Sequence, residues 1–259
     1  MINDRLGDVC KKFETVETEQ YFDKNKFLIA RLDGRSFSSY TKNMNKSFDL
    51  KLISLMMELS ESLMKEFNCD VIYHQSDEIT MIWFSSQKLI FEGKKHKLLS
   101  VIPAYASSLF STLIPDFFGI PHNLGDQVPC FDCRIFQVDT VDDIVDQLYW
   151  RVKDCKKNSI SQIANHLYNH KNLHKKTTKM KIEMIKEKTG IDVRDLYHSL
   201  ELYGNVLFKQ RVHRQKVQSG NVIKYIRKVV CNFQFETEPF REDVVNLIYN
   251  ISAGVVDWP

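Results

Sequence analysis

The order of hydrophobic patterns in the first half of this sequence constrains its fold more than any other feature. Short apolar runs typical of buried strands alternate with longer segments whose apolar residues recur at helical spacing. The patterns predict, in order, a strand at residues 27–32, a helix at 49–67, strands at 71–74 and 79–84, a helix within 96–114 and a strand at 131–138. This β-α-β-β-α-β order is typical of α+β proteins with a ferredoxin-like sheet.

That topology predicts where three acidic residues meet. The first and third strands are antiparallel neighbours at the sheet centre, so Asp33, at the end of one, is expected beside Asp77 and Glu78, at the start of the other. Clustered carboxylates repel one another unless a cation compensates, and their oxygens suit Mg²⁺. We therefore predict that Asp33 and Asp77 bind Mg²⁺, with Glu78 as a third ligand or just outside the ligands. Read singly, the same residues are also typical of an ordinary turn and a polar hairpin.

The segment after the first strand is a candidate phosphate site. Gly34 allows the backbone to approach a ligand closely, and Arg35, Ser36 and Phe37 could offer main-chain N–H groups to triphosphate oxygens. Lys46 is a candidate counter-charge, although a single lysine is more often simply solvated.

The second half of the chain is basic. Residues 150–230 contain 19 Lys and Arg against 6 Asp and Glu, which leaves 17 against 27 elsewhere. This asymmetry predicts a polyanion-binding region, with a solvated basic surface as the alternative. Beyond residue 138 the patterns predict helices at 140–155 (capped by Thr140 and Asp143), 159–168 and 177–188 (ended by Gly190), then strands at 222–230 and 232–235. We divide the chain into a catalytic domain, 1–138, and a basic, mostly helical region packed on it, 139–259.

Composition excludes several classes of protein. With 259 residues and 43% hydrophobic content, the chain can bury a core and is expected to be globular. No apolar stretch approaches the roughly 20 uninterrupted residues of a membrane span, and the N-terminus does not resemble a signal peptide. Six scattered cysteines favour a reduced setting, so we expect a cytoplasmic protein without membrane contact.

Five motifs in this order resemble those of the tRNA-histidine guanylyltransferase family. They are RLDGRSF (31–37), NKSFD (45–49), QSDE (75–78), FDCRIF (131–136) and WRVKDCKKNSIS (150–161). The resemblance covers about residues 25–210. It is closer to the guanylyltransferase-like branch outside the eukaryotic enzymes, because NSI (158–160) and NHK (169–171) are similar to segments of that branch.

The resemblance implies a polymerase-type palm that adds nucleotides in the 3′-to-5′ direction to the 5′ end of a tRNA. ATP or GTP would first activate the RNA 5′-phosphate, and a nucleotide 3′-hydroxyl would then displace the activating group. Two Mg²⁺ ions would be held by Asp33 and Asp77, helped by the Gly34 carbonyl, with Glu78 beside them. The triphosphate would contact Arg35, Ser36, Phe37, Lys46 and Ser76, while RNA or triphosphate would contact Arg134, Arg151, Asn158, His170 and Lys171. The family also implies a homotetramer.

Two departures from the family pattern bear on specificity. Eukaryotic members have His-Ile-Asn-Asn after the Asp-Cys pair, whereas this chain continues from Cys155 as Lys156-Lys157-Asn158-Ser159. Since that segment is tied to the histidine tRNA, its loss favours repair of 5′-truncated tRNAs over strict guanylate addition. Ser38 stands where the family usually has a histidine, so one triphosphate contact is expected to be missing.

Two other functions fit part of the pattern. A nucleotide cyclase would use the same palm and metals without a basic RNA face, and a non-catalytic RNA-binding module would retain the fold alone. Two further groupings are discounted. The histidines His166, His170 and His174 could share one face only on a continuous helix, and Cys130 and Cys133 are interpreted as core thiols.

Overall fold

A computed structural model of the chain describes residues 5–41, 49–86, 89–119, 128–218 and 221–253. Besides one short 3-10 helix (Ile90–Gly93), six strands and ten α-helices lie within these ranges. In chain order they are α1 (Arg5–Thr18), β1 (Phe27–Gly34), α2 (Phe37–Tyr40), α3 (Leu50–Glu66), β2 (Val71–Gln75), β3 (Glu78–Trp83), α4 (Lys95–Phe118), β4 (Phe131–Val138), α5 (Val141–Leu167), α6 (His170–Leu173), α7 (Thr178–Thr189), α8 (Val193–Leu196), α9 (Ser199–Tyr203), β5 (Asn205–Gln218), β6 (Asn221–Phe233) and α10 (Arg241–Ala253). The predicted order over β1 to β4 is confirmed.

The strands form one antiparallel sheet in the order β4-β1-β3-β2-β5-β6. Its first four members have the ferredoxin-like arrangement, with β1 and β3 at the centre. The β5–β6 hairpin extends the sheet at the free edge of β2. Because β5 pairs with β2, the sheet draws strands from both sides of the predicted division at residue 138, and that division stays a prediction.

The prediction for these last strands was wrong. Strand β5 was not predicted, and β6 was predicted as two pieces, whereas each is a continuous strand in the structure. The only run of consecutive apolar residues in β5 is 206–208, which pairs with β2. The rest of β5 is mostly polar and obtains its backbone hydrogen bonds from β6, so local composition carries little strand signal there.

Helices cover both faces of the sheet, and each face has its own hydrophobic core. The first core lies under α3 and α4. Helix α3 is capped by the preceding residue, Asp49, whose carboxylate accepts hydrogen bonds from the N–H groups of Lys51 and Leu52. The second core lies between the sheet and α5, α7, α9 and α10.

Helix α4 is long and apolar enough to cross a membrane by length and composition. In the fold it packs against α3 and β4, and its Leu98, Ile102, Ala106 and Phe110 are fully buried in the first core. The buried face of α4 belongs to that core, and 33% of its most apolar window is buried.

Helix α5 is one continuous helix of 27 residues, and the predicted break between residues 155 and 159 is wrong. The polar residues at 156–158 suggested an interruption. However, Cys155, Ser159 and Ile160 are all buried on the side that faces the second core, so the same helix continues. The predicted capping box of Thr140 and Asp143 is confirmed.

Candidate active site

Three carboxylates form a row across the central strands of the sheet. Asp33 on β1 is the register partner of Glu78 on β3 and of Asp132 on β4. Register partners on neighbouring strands project from the same face, which here is the face packed against α5. Like charges placed directly opposite each other destabilise a sheet, so the row is costly for the fold. The predicted approach of Asp33 to Glu78 is confirmed, whereas Asp132 was not predicted as part of the site.

Asp77 reaches the same place from the turn between β2 and β3. Its Oδ2 lies 2.8 Å from the position that a Cβ on Gly34 would occupy, and the ring of Phe37 lies 2.4 Å from that position. Any side chain at residue 34 would therefore collide with both groups. The preceding residue, Ser76, has a φ of 47°, a conformation that non-glycine residues seldom adopt. Such strain concentrates at functional sites.

The environment of Asp77 raises the pKa of its carboxyl. Burial is the main cause, and the negative charge of Asp33 adds to it, while the hydroxyl of Ser76 and the backbone N–H of Asp77 act in the opposite direction. Among the described residues, no lysine, arginine or histidine forms an ion pair with Asp77. A cation at this position would compensate the buried charge.

Glu78 is held by an arginine from α5. The Arg151 Nε and Nη2 atoms donate to its two carboxylate oxygens at 2.6 and 2.5 Å, and Nη2 also donates to Asp154 at 3.0 Å. Asn158 in turn donates to Asp154. Burial raises the pKa of Glu78, and the charge of Arg151 opposes that rise. Since both oxygens of Glu78 are occupied, its position fits a group beside the metal ligands better than a third ligand.

Arg151 itself was predicted to contact RNA or triphosphate, and its placement argues against a direct contact. The residue is buried, and its guanidinium forms ion pairs with Glu78 and Asp154. A buried, bidentate arginine of this kind orients a carboxylate.

The predicted phosphate segment is only partly available to a ligand. The N–H of Arg35 donates to the carbonyl of Cys130 at 2.8 Å, so it is not free for a triphosphate. The ring of Phe37 is buried against Tyr40 and other aromatic side chains of the first core. Ser36 takes the left-handed conformation and precedes α2, where the first N–H groups lack helical acceptors. Ser36 and Phe37 thus remain the amides that could face a phosphate.

The other predicted contact residues are scattered. Arg134 is exposed, with Nη2 3.8 Å from Oδ2 of Asp33, which brings it to the carboxylate row. Asn158 is exposed on α5, and Ser76 is exposed at the β2–β3 turn. His170 and Lys171 are exposed on the short helix α6.

The remaining sequence predictions concern Lys46, Ser38, the three histidines and the cysteines. Lys46 and the side chain of Ser38 lie outside the described residues. The three histidines do not share one helix, because α5 ends at Leu167 and α6 begins at His170. Burial raises the pKa of Cys133 to about 12, and its side chain packs against the first core as expected.

Three side chains of this region were not predicted from the sequence: Asp132, which belongs to the row, and Arg31 and Trp150, which border it. Arg31 lies two residues before Asp33 on the same strand, and its register partner on β4 is Arg134. The signal was present in the alternation along β1 and β4, but it required the register of the two strands.

A ferredoxin-like sheet with carboxylates at the ends of its central strands offers the oxygen ligands that enzymes of phosphoryl transfer, such as polymerases, use to bind divalent cations. Comparison with known proteins narrows this class. The family model described as tRNAHis guanylyltransferase matches residues 7–139, just over half of the chain. The chain therefore belongs to the tRNAHis guanylyltransferase family of nucleotidyltransferases.

Relatives with this similarity come from viruses, fungi and plants. An uncharacterized protein of Acanthamoeba polyphaga mimivirus is 26% identical over 245 residues, which cover 85% of this chain and 82% of that protein. The tRNA(His) guanylyltransferase of Schizosaccharomyces pombe is 30% identical over 155 residues, or 58% of each protein. The match to tRNA(His) guanylyltransferase 1 of Arabidopsis thaliana is 25% identical and covers 84% of this chain but 41% of that protein.

Solved structures agree with the fold. A bacterial tRNA(His) guanylyltransferase-like protein in complex with ATP superimposes with a TM-score of 0.71 at 25% identity, covering 78% of this chain and 88% of that one. A bacterial guanylyltransferase-like protein in complex with GTP gives a TM-score of 0.68 at 22% identity and covers 96% of this chain and 99% of that one. The shared fold thus includes the late hairpin as well as the first four strands.

Proposed function

We propose that this protein is a Mg²⁺-dependent nucleotidyltransferase that adds nucleotides to the 5′ end of tRNA in the 3′-to-5′ direction. The observation that carries the proposal is the buried carboxylate of Asp77, which lies against Gly34 beside Asp33 without a cationic partner among the described residues. Family membership supports the reaction class, and the ATP and GTP bound to related structures support the substrates.

The donor set fits Mg²⁺. Asp33, Asp77 and the carbonyl of Gly34 offer hard oxygen atoms, and Mg²⁺ is usually held by one or two carboxylates together with substrate phosphates and water. The described residues contain no group of three or more His, Cys, Asp or Glu side chains arranged for a metal. A metal site in which substrate phosphates and water supply most of the ligands needs fewer than three such side chains. Two bound ions would neutralise developing charge and align the reacting oxygens.

The protein's own groups would supply position and charge in this reaction. Ser36, Phe37 and Ser76 would hold the triphosphate, together with Lys46. Glu78 would be kept in place by Arg151, so that it cannot swing into the metal site and displace a phosphate oxygen. Such chemistry depends on alignment and charge neutralisation rather than on a covalent nucleophile. In this proposal, the sheet serves as a polymerase-type palm.

The charge and the pairing of the β5–β6 hairpin support the proposal that the bound polyanion is RNA. Only residues 205–208 of β5 pair with β2, so the remainder forms a two-stranded ribbon that extends beyond the sheet. Between residues 209 and 229 the sequence has seven lysines and arginines and no acidic residue. A ribbon of that charge suits phosphate contacts that do not depend on base sequence.

Repair of 5′-truncated tRNA is the preferred role in this proposal. The segment after Asp154 and Cys155 departs from the family's His-Ile-Asn-Asn pattern, and Asn158, which survives, is engaged with Asp154. We also propose a homotetramer in the cytoplasm, with residues 1–138 as the catalytic domain and 139–259 as the RNA-binding region.

The decisive experiment supplies a 5′-monophosphorylated tRNA that lacks its first nucleotide. Purified protein with Mg²⁺, ATP and GTP is expected to extend this RNA at its 5′ end, and Asp77→Asn is expected to lose at least about 100-fold of the rate. Asp8→Asn, an exposed carboxylate on α1, is the matched control and should retain full activity. Failure of the wild-type protein to extend the RNA would reject the proposal.

A further inference from the structure

Aromatic rings and guanidinium groups alternate on the α5 side of the sheet. The guanidinium of Arg31 lies 5.9 Å from the ring centre of Phe136 and 5.0 Å from that of Trp150. The guanidinium of Arg151 lies 4.6 Å from the centre of the same Trp150 ring. Two arginines therefore hold Trp150 through cation–π contacts.

Both arginines connect Trp150 to the carboxylate row. Arg31 precedes Asp33 by two residues on the same face of β1, a rise of about 7 Å along the strand. Arg151 grips Glu78. The indole is thus linked to the carboxylate row through Arg31 on β1 and through the contact of Arg151 with Glu78.

Trp150 remains accessible despite these contacts. It is 51% exposed, whereas Trp83, the other described tryptophan, is 3% exposed and donates its N–H to the carbonyl of Phe67. A large, exposed aromatic ring whose rotamer is already fixed loses little entropy when a flat ligand stacks on it. Single-stranded nucleic acids are commonly bound by stacking their bases on such rings.

The charges around Trp150 favour an anionic ligand. Arg31 and Arg134 are register partners on neighbouring strands, and a like-charge pair in that position destabilises the sheet. A phosphate bound near Arg31 and Arg134 would relieve the repulsion while its base lies on the indole.

We infer that Trp150 is a stacking platform for a nucleobase, an inference that rests on the proposed function and names a further binding residue for it. The base has two sources with the same chemistry: the incoming nucleoside triphosphate or the 5′-terminal nucleotide of the RNA. A purely structural tryptophan, which only spaces the two arginines, is the competing explanation.

Intrinsic fluorescence tests the stacking directly, because the chain has three tryptophans and Trp150→Phe removes one of them. The wild-type protein is titrated with GTP and, separately, with a 5′-monophosphorylated RNA hairpin whose 5′-terminal nucleotide is unpaired. A third titration uses the same hairpin with an abasic residue at that terminus. We expect saturable quenching that is lost in Trp150→Phe. Quenching by GTP assigns the base to the nucleoside triphosphate, and quenching by the intact but not the abasic hairpin assigns it to the RNA.

Affinities separate stacking from a structural role. Trp150→Ala is expected to bind the quenching ligand about 5- to 150-fold more weakly, and Trp150→Phe, which keeps a ring, to retain most of the affinity. Phe13→Ala, at a 76% exposed aromatic residue on α1, is the control and should bind normally. Unchanged affinity in Trp150→Ala, or equal quenching in wild type and Trp150→Phe, would overturn the inference.

The two proposals fail in different ways. Binding and quenching need no turnover, so a protein that binds through Trp150 but extends no RNA contradicts the proposed function alone. A protein that extends RNA at the wild-type rate in Trp150→Ala, with normal affinity, contradicts the stacking role alone.

Discussion

At the scale of single residues, stability and the proposed chemistry oppose each other at Asp77. The fold buries this carboxylate near Asp33, which raises its pKa and makes the ionised form costly. Gly34 permits the arrangement because its missing side chain leaves room for the Asp77 oxygen. Natural sequences keep such destabilising groups where function requires them.

The pH dependence of stability follows from the direction of that shift. A raised pKa means that the folded protein holds a proton on Asp77 more tightly than the unfolded chain. The group therefore lowers stability as pH rises from its ordinary pKa of 3.8 through the folded value, and it has no effect below 3.8. In EDTA at pH 7, Asp77→Asn is expected to unfold at a higher temperature than wild type, by a few degrees.

Thermal unfolding across pH checks this prediction. The gain of Asp77→Asn should shrink as pH falls toward 4, since both side chains are then uncharged. The exposed-site variant Asp8→Asn should show no such gain. An Asp77→Asn protein less stable than wild type at pH 7 would contradict the assignment of a buried, uncompensated charge.

At the scale of elements, a buried ion pair links α5 to the central sheet. Arg151 and Glu78 have side chains that are 9% and 14% exposed, and their bidentate geometry ties the helix to the start of β3. Removing one partner of such a pair leaves the other charge buried without compensation.

Arg151→Leu is therefore expected to destabilise the protein by about 3–5 kcal/mol, because Glu78 then lies buried and unpaired. Adding Glu78→Gln should recover a large part of the loss, and denaturant unfolding of the single and double variants measures the coupling. Arg241→Leu is the control, since Arg241 joins α10 to Asp146 of α5 with 40% of its side chain exposed. That change should cost under about 1 kcal/mol. Additive losses in the double variant would contradict a direct pairing.

At the scale of the whole molecule, charge is separated between the acidic sheet end and the basic hairpin. Arg211 on β5 and Lys228 on β6 are register partners in a ribbon whose sequence between residues 209 and 229 has seven basic and no acidic residues. This arrangement is unfavourable for the isolated protein and favourable for binding to a phosphate backbone.

Salt dependence of RNA binding tests that role. The double change Arg211→Gln with Lys228→Gln is expected to reduce the slope of log affinity against log salt by roughly 1 to 2. The reason is that binding with fewer phosphate contacts releases fewer counterions from the RNA. The same charge change on α1, Lys11→Gln with Lys12→Gln, provides the matched control. Equal slopes for both double variants would show that the ribbon does not contact phosphate.

The sequence by itself determined the order of the first four strands, the two long helices between them and the meeting of Asp33 with the Asp77-Glu78 turn. These features follow from local periodicity and from a topology with few alternatives, so short-range patterns were sufficient. The same reasoning divided α5 at its polar segment and overlooked β5, because burial against a distant element overrides local composition.

Only the tertiary structure decided which of the candidate residues work together. The burial of Arg151 against Glu78, the place of Asp132 in the carboxylate row and the contacts of Trp150 with two arginines all depend on strand register and on the rotation of α5. Register and rotation are set by the packing of both cores, in which residues far apart in the chain compete for the same space. No local pattern contains that information.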